Sequence, residues 1–282
     1  MAEARDVTVV IPAFNEARGI AQTVAGLKPQ GFAEILVVDD GSTDDTAAQA
    51  DGAGARVVRH PYNKGNGAAV KTGIREASSP VLLLMDADTQ HDPAEAIKLI
   101  APIGTYDLVI GARALGDQSA LRAFGNAIFR ALASWLTGRP IPDLTSGYRA
   151  AKRPALLDII HLLPNGFSYP TTSCLSMMKS GHSVLFVPII ARARVGTSKI
   201  RPLQDGFRFI LIIFKIVTLY APLRVFAPIA GLSLLTGIAY GIWNVVKFDK
   251  IPMGSAMLIQ LGVVVFLFGL ISEQIASMQD RR

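Results

Sequence analysis

Val81-Leu82-Leu83-Leu84-Met85-Asp86-Ala87-Asp88-Thr89-Gln90 is the stretch from which the rest of the chain is read. Its unbroken apolar start reads as a strand covered on both faces, because a half-buried strand would alternate. The run ends in two carboxylates spaced i, i+2, and such side chains point the same way on an extended segment. The pattern repeats outward. VTVVIP (Val7–Pro12), ILVVD (Ile35–Asp39), VVRH (Val57–His60) and DLVIGA (Asp107–Ala112) are further strand-like runs. Between them Arg18–Leu27, Asp44–Ala50, Gly65–Ala77 and Pro93–Ile103 read as helices. This strand–helix succession predicts an α/β fold with an open, mostly parallel sheet and right-handed crossovers.

Ligands of such sheets bind beyond the C-terminal strand ends, and those ends are unusually polar here. They carry Pro12-Ala13-Phe14-Asn15-Glu16, then Asp39-Asp40-Gly41-Ser42-Thr43-Asp44, then Asn63-Lys64-Gly65-Asn66-Gly67 with Lys71, then Asp86 to Gln90. Turns need polar residues but not this many carboxylates, whose crowding costs energy unless a cation or hydrogen bonds offset it. Asp86 and Asp88, with the Gln90 carbonyl, offer hard oxygen ligands to Mg²⁺ or Mn²⁺, completed by a diphosphate. Neither GxGxxG nor GxxxxGK[ST] occurs, so neither a dinucleotide fingerprint nor a P-loop supports the site.

The composition adds a membrane. Half of the 282 residues are hydrophobic and 18% are charged, with a mean hydropathy of +0.37. That excludes disorder and an ordinary soluble protein. Residues 1–191 carry 17 Lys/Arg against 18 Asp/Glu, and residues 192–282 carry 11 against 4. The basic balance thus belongs to the C-terminal third and does not indicate a nucleic-acid partner. The one cysteine, Cys174, excludes an intrachain disulfide framework and a Cys-based zinc site. With Met177 and Met178 it reads as core filling.

Val225–Val246 and Ile251–Ser272 contain no Asp, Glu, Lys or Arg, and each is long enough to span a bilayer. Trp243, Tyr240 and Phe248 suit an interfacial belt. Ahead of them Leu203–Tyr220 is apolar but places Arg208 and Lys215 on one helical face, as a helix lying in a membrane surface would. Basic residues flank one side of the hairpin, and the start MAEARDVTVV lacks the apolar stretch of a signal peptide, so both termini are expected in the cytosol.

The motifs VVIPAFNE, VVDDGSTDDT, NKGNGAAVKTG, MDADTQHDP, TSGYRAAKR and RVGTSK together resemble the family 2 glycosyltransferases with a GT-A fold. Within that family the chain looks most similar to the polyprenyl-phosphate glycosyltransferases of the dolichol-phosphate-mannose synthase-like group. The resemblance covers residues 7–200 and extends to the membrane part as architecture. It implies a cytosolic GT-A nucleotide-diphospho-sugar transferase domain over 1–200 and a juxtamembrane amphipathic helix over 201–222. A two-helix transmembrane hairpin over 223–276 and a cytosolic tail over 277–282 follow. The processive motif QxxRW is absent, which implies a single sugar transfer.

The resemblance also implies roles. Pro12, Phe14 and Glu16 would hold the nucleoside, Asp39 would recognise the base with Asp40 in support, and Lys64 and Lys71 would lie on the base and phosphate side. Asp86, Asp88 and Gln90 match the metal and diphosphate site, with Asp86 nearer either the ribose or the ion. Arg113, Arg122, Ser146, Arg149, Arg194, Ser198 and Lys199 fall on the acceptor-phosphate side, and Asp88, Arg113 and Arg194 are the expected catalytic residues. His91 reads as a metal ligand or, alternatively, as a capping or surface histidine.

The implied reaction is inverting transfer of one sugar from a nucleotide sugar to undecaprenyl or dolichyl phosphate in the bilayer. UDP-glucose is favoured over GDP-mannose as donor. A lipid phosphate is already ionised and needs no base, so Asp143 is expected to position rather than to take a proton. A lipid or sugar hydroxyl acceptor would instead require a base there. A membrane-anchored nucleotide-sugar sensor would bind without turnover, and the intact DxD, Arg113 and RVGTSK speak against it. A homo-oligomer is left open.

Overall fold

A computed structural model of the protein describes residues 2–113, 120–166, 168–190 and 221–279. Contacts divide the chain into two units, Met1–Lys199 and Ile200–Arg282.

As far as the strand Leu108–Arg113 the first unit follows the expected order of strands and helices. It runs β1 (Val7–Ala13), α1 (Ile20–Leu27), β2 (Glu34–Asp39), α2 (Thr46–Gly52), β3 (Arg56–Arg59) and α3 (Asn66–Glu76). Then come β4 (Val81–Leu84), α4 (Ala96–Ile100), β5 (Leu108–Arg113), α5 (Ala120–Thr137), β6 (Arg149–Lys152), α6 (Arg153–Ile159), α7 (Tyr169–Lys179) and β7 (Val184–Ile189). The strands form one seven-stranded sheet in the order β3-β2-β1-β4-β6-β5-β7. Its strands run parallel except β6, which is antiparallel to both β4 and β5. Every residue of β1 and β4 is buried, as their unbroken apolar runs require of strands covered on both faces. Each Val, Leu or Ile so buried contributes about 1.5–3 kcal/mol.

Two local departures have visible causes. β4 stops at Leu84, short of the expected Asp86, after Met85 N donates to Val10 O at 3.1 Å. The chain then turns, with Thr89 at φ 59, a left-handed conformation unfavourable for a β-branched residue. The helix expected over Pro93–Ile103 begins as a 3₁₀ turn, Pro93–Glu95, capped by the Asp92 side chain accepting from Ala94 N. It continues only to Ile100 as α4.

The second unit contains α8 (Pro222–Phe248) and α9 (Met253–Gln279). Both are long and apolar enough to cross a membrane. They pack on each other through small residues: Ser255 Oγ donates to Gly237 O at 2.7 Å and Ser233 Oγ to Leu258 O at 2.8 Å. A Cβ on Gly237 would stand 3.0 Å from the Ile259 amide nitrogen. Such close approach is the usual device for pairing helices in lipid, where apolar surface gives little drive for association. Within this unit Leu232, Leu235, Ile242, Val246, Met253 and Phe268 project outward. The region expected to form a juxtamembrane helix, 201–222, lies outside the described residues up to 220.

Candidate active site

The sheet order fixes where a site can form. β1 leads to β2 and β3 on one side and has β4 on the other, so a crevice opens at the C-terminal ends of β1 and β4, the switch point of the topology. A cavity of about 480 Å³ lies there. Pro12, Ala13, Phe14 and Glu16 line it from the end of β1, Asp40 from β2, and Asn63, Gly65, Asn66 and Ala69 from the start of α3. Asp86, Ala87 and Asp88 follow β4, and Thr145, Tyr169 and Pro170 close the far side.

β6 explains how that far side arrives. Being antiparallel, it starts at the end where β4 finishes, with Arg149 opposite Leu84. The segment leading into it, Thr145 to Tyr148, is therefore delivered to the carboxylates after β4. Gly147 lies directly against Asp86: a Cβ there would stand 2.8 Å from Asp86 Cγ and 3.0 Å from Oδ1, and closer still to Oδ2.

Two of the four acidic residues lining the cavity follow β4. Asp86 keeps about a third of its side chain exposed (33%), with His91 Nε2 3.5 Å from its Oδ2. Asp88 Oδ1 accepts from Gln90 N at 3.2 Å, an arrangement the left-handed Thr89 makes available. Gln90 does not line the cavity; its main chain orders Asp88 instead. His91 is buried and stacks on Tyr148 with ring centroids 4.7 Å apart, so it is a packed residue beside Asp86 rather than a surface one.

On the nucleoside side one expected residue, Asp39, lies apart from the cavity lining. Asp39 is fully buried and does not line the cavity. Its Oδ1 accepts from Ser42 N at 2.9 Å, and Arg59 Nε stands 3.1 Å from Oδ2 without the alignment of a hydrogen bond. Neighbours on a strand point to opposite faces, and it is Asp40 that faces the cavity. Asp40 Oδ1 accepts from Lys64 N at 2.9 Å and Oδ2 from Gly65 N at 2.7 Å. His60 Nδ1 lies 2.6 Å from Oδ1, and its Nε2 is 2.9 Å from Thr72 Oγ1. Asp40 thereby holds the loop that opens α3. Gly65, at φ 103, permits the turn, and any Cβ there would strike the Asn165 carbonyl.

The two lysines do not reach in. Lys64 places its ammonium 5.8 Å from the Tyr62 ring. Lys71 donates to Leu163 O and Asn165 Oδ1, and burial lowers its pKa.

The acceptor-side residues divide. Arg113 grips Asp143 through Nε to Oδ2 at 2.8 Å and Nη2 to Oδ1 at 3.1 Å, with Nη2 also 2.7 Å from Thr145 Oγ1. Burial of Asp143 favours its neutral form, but the Arg113 hydrogen bonds and charge, with Thr145 N, outweigh this and lower its pKa. Burial likewise opposes the charge on Arg113, and Asp143 more than restores it, with Asp86 and Asp88 adding to the attraction.

Arg149 is corrected: it is wholly buried and cannot present itself to an acceptor phosphate. Its Nη1 donates to Pro170 O at 2.8 Å and Ser173 Oγ at 2.7 Å, and its Nη2 to Ser146 O. Strand pairing inside the sheet draws it inward. Ser146 is also fully buried, with Oγ unpartnered. The side chain of Arg122, and all of Arg194, Ser198 and Lys199, lie outside the described residues.

Asn63, Asn66, Thr145 and Tyr169 are cavity residues that sequence reasoning did not single out. Tyr169 opens α7, and none of the sequence motifs includes it. That residue is buried with its hydroxyl unpartnered, and burial holds the phenol protonated. Cys174 is buried in α7, and burial pushes its thiol up to about 12, so it is an inert core group.

Residues 8–159 match the glycosyl transferase family 2 domain, and residues 221–278 match the GtrB C-terminal hairpin. Glycosyltransferase AglJ of Haloferax volcanii is 31% identical over 96% of this chain and 94% of its own length. The chain belongs to glycosyl transferase family 2. It is accordingly a glycosyltransferase. A second Haloferax volcanii family 2 relative, a dolichyl-phosphate hexose transferase, is 32% identical over 71% of this chain and 89% of its own. In fold, the first unit is similar to glucosyl-3-phosphoglycerate synthase from Mycobacterium tuberculosis, solved with Mn²⁺, UDP and glucosyl-3-phosphoglycerate. The TM-score is 0.61, with 24% identity over 75% of this chain and 78% of that one.

Proposed function

We propose that the protein transfers a single hexose, with inversion, from a nucleoside-diphosphate sugar to the phosphate of a membrane polyprenol. UDP-glucose is the favoured donor and GDP-mannose the alternative. The observation that carries the reading is the Asp86–Asp88 pair at the switch point of a family 2 sheet, in a chain that also has a hairpin suited to a bilayer. The dolichyl-phosphate hexose transferase supports a polyprenyl phosphate acceptor, and the UDP complex of the structural neighbour supports the donor class.

The donor set fits a divalent ion. Asp86 and Asp88 offer hard oxygens, and among the described residues no group of three His, Cys, Asp or Glu could hold a metal alone. Two carboxylates suit an ion whose remaining ligands come from a substrate diphosphate. When bound, such an ion would supply Lewis-acid neutralisation of the departing diphosphate.

The protein's own groups then bind and align. Phe14 offers an exposed ring, 42% accessible, to the nucleoside, and Asp40 fixes the loop beneath it. An acceptor phosphate has a second pKa of about 6 and is mostly a dianion at neutral pH. One of its oxygens attacks the anomeric carbon as the bond to the diphosphate oxygen breaks, so no proton need be removed. Asp143 favours this acceptor over a hydroxyl. Its carboxylate is committed to Arg113 and Thr145 and its pKa is lowered, which makes it a poor base. Arg113, Arg122, Arg194, Ser198 and Lys199 would gather the acceptor phosphate, with the first unit and both termini on the cytosolic face.

The test uses purified full-length protein in detergent with undecaprenyl phosphate and a panel of nucleotide sugars, products being read by mass. Lipid-linked hexose is expected from UDP-glucose, and EDTA is expected to abolish it. Product that persists in EDTA sinks the metal assignment, and no lipid product from any donor sinks the reaction.

A further inference from the structure

We propose that Gly147, held in place by Arg149, is a positioning residue that sets the Asp86 carboxylate for divalent-ion binding. The inference rests on the metal reading above. Three observations converge on it. Gly147 leaves no room for a side chain, and the obstruction is the Asp86 carboxylate itself, with Cγ 2.8 Å and Oδ1 3.0 Å from where a Cβ would sit. The carboxylate thus packs against the Gly147 main chain, with Oδ2 nearest the Cβ position. That main chain is itself anchored, because Ser146 O accepts from Arg149 Nη2. The guanidinium is anchored in turn by Pro170 O and Ser173 Oγ.

A buried arginine bonded to neutral carbonyl and hydroxyl oxygens is a costly way to hold a turn, since burial disfavours its charge. Its guanidinium joins the turn at Ser146 to Pro170 and Ser173 of α7, and a fixed fork does this where a single ammonium would not. Beside Asp86 stands the His91 ring, with Nε2 3.5 Å from Oδ2. Without the glycine floor the carboxylate would be free to rotate, and a metal site loses affinity when a ligand's orientation is left loose.

The obstruction at Gly147 is the far end of a side chain, so Gly147→Ala should push the carboxylate aside rather than break the fold. The experiment is an electron paramagnetic resonance titration of Mn²⁺ into full-length protein. It is run with the nucleoside diphosphate that the donor assay identifies, and thermal unfolding in EDTA is followed in parallel. Gly147→Ala is expected to weaken Mn²⁺ binding at least tenfold with little change in the unfolding midpoint. Arg149→Lys keeps the charge but loses the fork, and is expected to weaken Mn²⁺ binding severalfold. Wild-type Mn²⁺ affinity in Gly147→Ala overturns the inference, as does a fall in unfolding midpoint that parallels the loss of metal. Should Gly147→Ala not fold, Arg149→Lys decides alone, and unchanged affinity there overturns it. A wild-type protein that takes up no Mn²⁺ overturns the metal reading itself, and this inference with it.

Discussion

Two pairs of aspartates stand at or just past the ends of β2 and β4, and they are treated differently. Asp39 and Asp40 follow β2 and are almost fully enclosed. Their oxygens accept from Ser42 N, Lys64 N and Gly65 N, beside Arg59 and His60. Asp86 and Asp88 follow β4, and Asp86 remains a third exposed, with His91 Nε2 3.5 Å from its Oδ2. The first pair is bound up in holding loops. The second borders the cavity. Carboxylates whose oxygens are taken up by loop amides build a site, whereas one that stays partly exposed, as Asp86 does, can meet a ligand.

The contrast can be broken by substitution. Asp88→Ala should cost about 10³-fold in kcat, the scale of losing one preorganised charge-stabilising group. It should leave unfolding free energy within about 1 kcal/mol of wild type, read by thermal or denaturant melts. Asp40→Ala should do the reverse in kind. It strands two amides and the His60 ring in a buried place, at about 1–3 kcal/mol for each group left unpaired, so a loss of about 3 kcal/mol is expected in the same melts. Equal stability loss in both variants would erase the distinction.

Asp143 sharpens the contrast from the acceptor side. Asp143→Asn should lower turnover about tenfold by loosening Arg113, whereas a loss near that of Asp88→Ala would make Asp143 a base. The pH profile gives the smallest and cleanest signal. The folded pKa of Asp143 lies below its ordinary value of 3.8. The stability it contributes is therefore complete above that value and lost only as pH falls through the lowered one. Nothing at Asp143 titrates between pH 5 and 8. The acid limb of turnover should instead follow the acceptor phosphate near pH 6, and should be the same in Asp143→Asn.

β1, β2 and β4 were plain in the sequence because each carries an unbroken apolar run followed by a polar turn. The carboxylates after β4 could be picked out for the same reason. β6 was not, since Arg149-Ala150-Ala151-Lys152 is short and bracketed by cations, and no local pattern announces a strand that exists only by insertion between β4 and β5. β7 (Val184–Ile189) went unread as well, and the omission of β6 left Arg149 placed on the acceptor side by resemblance when it is sealed inside. The exchange of Asp39 for Asp40 turns on which face a side chain takes at the last residue of a strand. His60 carries no spacing that ties it to Asp40, so their pairing is purely a product of tertiary approach.

The reversed strand has a consequence for assembly. The floor under Asp86 comes from a stretch far along the chain, brought back only when β6 slots between its neighbours. Such distant closures are formed late and slowly. A nascent chain, or one arrested before that insertion, would possess both acidic side chains and yet lack a formed catalytic centre. Turnover is thus withheld until the sheet is whole, with chemical competence reporting completed folding.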